Sequence, residues 1–163
     1  MAARPQRDPG PIVLPIRNSV RALIVRCNRV LLVRKRGPDG AERYALPGGG
    51  QEAGELLHQA LRRECHEEID SGVEVLGLLH VADAFAARAA RPGGYRQRVE
   101  FVFHCQVPAD YQPRSGPRPD RHQVAVVWVG LQHLDGIDLR PAGMAALIRQ
   151  AAIGQGPVYL GIL

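Results

Sequence analysis

The chain reads as an α/β protein, a mixed β-sheet covered by helices on both faces. Strand-like runs lie on either side of one strongly patterned central helix, and a second helix closes the chain. A third observation sets the domain count. With 163 residues, 45% of them hydrophobic, and no internal repeat or linker, the chain has the size and composition of one globular domain with its own core. The expected boundaries are an extended arm over residues 1–17 and one domain over residues 18–163.

The arm carries four prolines and no usable periodicity, although Ile12-Val13-Leu14 near its end suits an edge strand. Ser19–Arg26 and Val30–Arg36 are apolar and β-branched, and Cys27-Asn28-Arg29 joins them as a hairpin. A turn at Gly37-Pro38-Asp39-Gly40 is followed by Tyr44-Ala45-Leu46, which leads into Pro47-Gly48-Gly49-Gly50. The central helix spans Glu55 to Asp70, with Leu57, Ala60, Leu61, Cys65 and Ile69 forming one apolar stripe. Val73–Ala82 is a strand, and Asp83–Gly94 is a loop or a short helix. Tyr95–Val107 alternates, with Val99, Phe101, Phe103 and Cys105 on one face. Pro108–Gln123 is a long loop with the composition of a mobile segment, and a loop of this length is usually functional or disordered. Val124–Val129 is a buried strand. A second helix is expected over Leu139–Ile153, with Pro141 near its first turn, and Val158-Tyr159-Leu160 ends the chain.

Composition excludes several classes. No run approaches the length of a membrane span, and the N-terminus lacks the continuous apolar core of a signal peptide. Three cysteines without a CxxC pair read as buried free thiols in a reducing cytoplasm. The net charge of +5 suits an anionic substrate, but the arginines are scattered, so no specific nucleic-acid partner is indicated.

Chemistry concentrates in Leu46–Val73. At about 100° per residue, Glu64 and Glu68 fall inside the apolar stripe and Glu67 on its edge. Acids placed there repel one another and lose hydration, so a cation, a basic side chain or a cavity must face them. The alternative is a solvated acidic helix end. Successive glycines before the helix favour the first reading, because they let backbone approach a phosphate closely. Carboxylate oxygens are the donors that Mg²⁺ prefers, and Glu64 and Glu68, one turn apart, can share an ion while Glu67 reaches a second.

Gly49, Glu55 and Arg63-Glu64-Cys65-His66-Glu67-Glu68 together resemble the Nudix box, GX5EX7REUXEE followed by XGU. One departure is visible: the final Gly and apolar positions fall on Asp70 and Ser71, which looks like a longer helix exit. Weaker similarity covers roughly Ser19 to Ile153. The resemblance implies an α/β/α sandwich with a mixed sheet between helices. It also implies an Mg²⁺-dependent hydrolase, with Mn²⁺ as a substitute, that cleaves the pyrophosphate bond of a nucleoside diphosphate linked to another moiety. It adds the carbonyl of Gly48 to Glu64, Glu67 and Glu68 as metal ligands, and makes Glu55 and Arg63 the pair bracing loop against helix. The other reading is a nucleotide-sensing module, which usually loses the box acids that this chain keeps.

Family members often carry a further acid before the last strand, where this chain has Gln123. Asp120 or His122 could replace it as base, or Glu64 could itself activate water. Arg34 and Arg36, with Lys35, end a strand beside the glycine turn and are candidates for substrate phosphates. Tyr44, Phe85, Tyr95 and Tyr111 are candidates to stack a base. Glu100 alternates against Val99 and Phe101 and reads as solvated. The expected partner is a small nucleotide, and a homodimer is left open.

Overall fold

Two β-branched runs around Cys27-Asn28 build the first unit of the computed structural model, which describes residues 15–87, 95–154 and 156–163. β1 (Arg17–Arg26) and β2 (Arg29–Arg36) are antiparallel, with Arg26 opposite Arg29. Cys27 and Asn28 both have positive φ, 49° and 58°, as a two-residue type I′ turn requires. The turn leaves Cys27 exposed, against the expectation of a buried thiol, while Cys65 and Cys105 are buried.

The hairpin soon opens. β2 pairs with β3 (Glu42–Ala45) from Val33 onward and with β6 (Gln123–Gly130) along most of its length. The freed edge of β1 is taken by the glycine loop: Val20 N–H donates to the Gly49 carbonyl and Ala22 N–H to the Pro47 carbonyl, both at 2.9 Å. Gly48 lies at φ 135°, and a Cβ there would collide with the Val20 carbonyl oxygen, so only glycine fits.

On its other side β1 runs parallel to β5 (Tyr95–Gln106), which pairs antiparallel with β4 (Glu74–Ala87). β7 (Tyr159–Ile162) lies parallel to β4 and completes a seven-stranded mixed sheet of order β3-β2-β1-β5-β4-β7, with β6 on β2. Alternation divides the core. Val20, Ala22 and Ile24 pack with Leu61, Cys65 and Ile69 of α1 (Leu57–Ile69). Leu23, Leu32 and Val102 pack on the opposite face with Met144, Leu147 and Ile148 of α2 (Met144–Ala152). The layers are therefore α/β/α, as the sequence predicts.

Several boundaries differ. α1 begins at Leu57 rather than Glu55, because Glu55 folds back before the helix and Gln59 caps the Leu56 N–H at 2.7 Å. It ends at Ile69, and Asp70 itself takes the left-handed exit position with φ 49°. β4 continues through Asp83–Ala87; residues 88–94, like Ile12-Val13-Leu14, lie outside the described residues. The second helix is shorter than expected. Pro141 precedes it, disfavouring helix at Arg140, and Gly143 enters it with φ 85°. A 3₁₀ turn, Leu131–Gly136, follows β6. Arg17, assigned to the arm, opens β1.

Candidate active site

The last two turns of α1 face the glycine loop, and one arginine organises the meeting. Arg63 donates to both Glu55 oxygens (Nε at 3.2 Å, Nη2 at 2.7 Å) and to the Gly50 carbonyl at 2.9 Å. Its Nη1 reaches Glu64 at 2.9 Å and Glu67 at 3.3 Å. Glu55 in turn accepts from the Glu52 N–H at 2.7 Å. The Arg63 hydrogen bond holds the Glu55 carboxyl below the ordinary range, although burial opposes it. The pair joins loop to helix in fork geometry, which a lysine could not reproduce.

Glu68 is buried, at 4% exposure. One oxygen accepts from the Gly48 N–H at 2.9 Å, and the other lies 3.7 Å from Lys35 Nζ. Burial pushes its carboxyl up, and the nearby Lys35 charge, the Gly48 hydrogen bond and Arg21 only partly counter this. Glu64 lies against Gly49, where an added Cβ would stand 2.5 Å from its carboxylate. Each acid of the turn thus has a positive side chain on it: Arg63 on Glu64 and Glu67, Lys35 on Glu68.

The loop Pro108–Gln123 closes the C-terminal end of α1. Gly116 N–H donates to the Glu68 carbonyl at 3.0 Å and Arg118 N–H to the Glu67 carbonyl at 3.1 Å. Gln123 Nε2 also donates to the Glu68 carbonyl at 2.7 Å, and Tyr111 O–H to that of Ile69 at 2.7 Å. Arg114 binds the Asp70 carboxylate at 2.6 Å. Helix-end carbonyls lack intrahelical partners, and this segment supplies them. It is a pinned clamp. Tyr111, a stacking candidate in the sequence, is buried inside it.

On the other face of the sheet a cavity of about 380 Å³ is lined by Tyr44, Phe85, Pro141, Leu163, Arg36 and His122, among others. A second, of about 350 Å³, is lined by Asn18, Ser19, Gly48–Gly50 and Asp120. The two share Arg21, Lys35, Arg96 and Arg98, so they form one cleft. Arg36, Tyr44, Asp120 and His122 therefore stand together there. Arg34 lines neither cavity and turns to Glu42 at 3.6 Å. Asp120 is held by Lys35 at 2.7 Å; burial works against its charge, but Lys35 keeps the carboxyl below its ordinary value.

The sequence reading missed Arg21 and Glu100. Glu100 is 3% exposed, not solvated, and is bound by Arg21 Nε at 2.9 Å. Arg21 Nη1 also donates to the Gly48 carbonyl at 2.7 Å, the oxygen expected to bind metal, using one of its two lone pairs. Charged residues inside an otherwise apolar strand pair were the available signal. Their separation of 79 positions concealed the pairing.

Among the described residues, no three His, Cys, Asp or Glu converge on one point that could hold a metal; the acids of α1 turn toward Arg63 and Lys35 instead. The donor set nevertheless suits a hard divalent cation: three carboxylates within two turns, one of them buried, beside a side-chain-free loop.

A family model, the NUDIX domain, matches residues 15–151. The chain belongs to the Nudix family. It is 37% identical over 100 residues to an RNA pyrophosphohydrolase of Acidiphilium cryptum, a match covering 55% of this chain and 61% of that protein. It is 33% identical over 121 residues to the "Putative 8-oxo-dGTP diphosphatase 2" of Mycobacterium tuberculosis, covering 74% of this chain and 77% of that one. A NUDIX hydrolase from Nitrosomonas europaea shares the fold, with TM-score 0.68, 22% identity, and coverage of 88% of this chain and 94% of that one. No helix among the described residues is long and apolar enough to cross a membrane.

Proposed function

We propose that the chain is a Mg²⁺-dependent hydrolase that cleaves the pyrophosphate bond of a nucleoside diphosphate linked to another moiety. The observation that carries this reading is the Arg63 network, which presents Glu64 and Glu67 beside the glycine loop while Glu68 is anchored to that loop through the Gly48 N–H. The names of the two relatives, both hydrolases of phosphate anhydrides, support it.

Glu64, Glu67 and Glu68 would hold the metal, which when bound neutralises phosphate charge and lowers the pKa of a coordinated water. The chain's own groups do the rest. Arg63 positions the acids, and Lys35, Arg21 and Arg98 offer cationic contacts to the phosphate chain. Tyr44, Phe85, Pro141 and Leu163 form an apolar wall for the nucleoside. Glu64 takes the proton from the attacking water; Asp120, bound by Lys35 at 2.7 Å, is the alternative base.

The test is a panel of nucleoside triphosphates and nucleotide sugars, assayed for nucleotide and phosphate products with and without Mg²⁺. Mg²⁺-dependent cleavage of at least one is expected, and Glu64→Gln should lower its turnover by about 10²–10⁴-fold. Full activity in EDTA would contradict the reading.

A further inference from the structure

The positive charge of the cleft is unevenly balanced. At one end every lining arginine has a carboxylate within 4.0 Å: Arg36 has Glu42 at 3.6 Å, Arg43 has Asp39 at 2.6 Å, and Arg140 has Asp138 at 2.6 Å. At the glycine-loop end, Arg17, Arg21, Arg96 and Arg98 have one carboxylate between them, Glu100, within 4.0 Å among the described residues. Its oxygens lie 2.9 Å from Arg21 and 3.9 Å from Arg98.

Strand register builds this cluster. Arg17 stands opposite Arg98, and Ser19 opposite Glu100, in the parallel β1–β5 pair, while Arg96 precedes Arg98 by two residues on the same side. Like charges on directly paired positions are destabilising. Arg98 registers the strain: burial, and then the neighbouring Arg21, Arg96 and Arg17, work against its charge despite Glu100. The glycine loop borders the same place without side chains at Gly48–Gly50. Asn18 and Ser19 spend their donors on the loop, on Gln51 at 2.8 Å and the Gly49 carbonyl at 3.1 Å, so the free cationic groups there, among the described residues, are the arginines.

Resting on the hydrolase reading above, we propose that Arg17, Arg96 and Arg98 form a subsite for a phosphate-terminated leaving moiety, so that nucleoside oligophosphates are preferred over nucleotides bearing a neutral sugar. With the nucleoside against Tyr44 and Phe85, the phosphate chain crosses Arg21, Lys35 and Arg98 toward the glycine loop. Its far end then meets Arg17 and Arg96, whose charge no carboxylate within 4.0 Å balances among the described residues. A neutral sugar there would leave the cluster's repulsion unrelieved.

The experiment compares ATP with ADP-ribose, which share one nucleoside diphosphate part, in wild type, in the double variant Arg17→Met/Arg96→Met and in Arg17→Lys/Arg96→Lys. Both side chains are exposed, so the fold should survive. Wild type should favour ATP in kcat/KM. The methionine variant should lose about tenfold or more in the ATP to ADP-ribose ratio, and the lysine variant should recover most of it. Calorimetry with inorganic tripolyphosphate should show a parallel loss of affinity, steeper at low salt. An unchanged ratio, or unchanged tripolyphosphate affinity, overturns the subsite. Failure of wild type to hydrolyse either nucleotide or any other in the panel would instead overturn the hydrolase reading, and tripolyphosphate binding would still decide the subsite.

Discussion

At Glu68, burial and charge oppose each other, and the consequence is measurable without any substrate. The folded carboxyl titrates above its unfolded value, so the folded state holds its proton to higher pH. The penalty for ionising it is absent at low pH, where both states are protonated. It appears as pH rises above about 4.5 and is complete once the raised folded value is passed. Metal-free Glu68→Gln should therefore melt higher than wild type at pH 7, and the difference should close as pH falls below about 4.5. A difference independent of pH would show that burial of the charge is not the cause.

Arg63 makes the complementary case at the same scale. Its fork spans Glu55, Gly50, Glu64 and Glu67 at once. Lysine retains the charge but offers a single ammonium, so it cannot keep all four contacts. Arg63→Lys should fold normally yet lose about 10²-fold in turnover, the scale of misplacing catalytic groups by about 1 Å. Turnover within twofold of wild type would reduce Arg63 to a surface ion pair.

At the level of elements, α1 is held from two directions. Its buried face, through Leu61, packs against β1, and Leu61→Ala should cost about 2–5 kcal/mol in denaturant unfolding. Its end is held by Pro108–Gln123. Tyr111→Phe removes one donor from the Ile69 carbonyl and should cost about 1 kcal/mol. Gln123→Leu should do similarly and should also weaken Mg²⁺-induced stabilisation, because Glu68 shares the turn it holds. Equal Mg²⁺ shifts in wild type and variant would confine the clamp to stability.

For the whole molecule, legibility followed the range of the interactions. The i, i+3/i+4 stripe of α1, the alternation of β5 and the acids of the box are local patterns, and the layers they imply are those observed. Glu100 misled because its partner, Arg21, lies on a strand 79 positions away. The clamp misled differently. Two of its donors are backbone N–H groups, of Gly116 and Arg118, which leave no trace in residue identity, so a proline-rich pinned segment reads as mobile. Cys27 appeared buried because its neighbours are apolar, whereas a positive-φ turn turns it outward.

The most direct test of the central claim, that the acid turn of α1 is a metal-loaded hydrolytic centre, is an Mg²⁺ titration of wild type and Glu64→Gln followed jointly by nucleotide hydrolysis and melting temperature. Wild type should gain both activity and stability over the same Mg²⁺ range, since a ligand of the native state raises its stability. Glu64→Gln weakens the charge-assisted hydrogen bond from Arg63, so it should melt at or slightly below the wild-type temperature without metal, gain less from Mg²⁺, and turn over about 10²–10⁴-fold more slowly. Wild-type activity that ignores Mg²⁺, or a Glu64→Gln protein with near-normal turnover, would contradict the account.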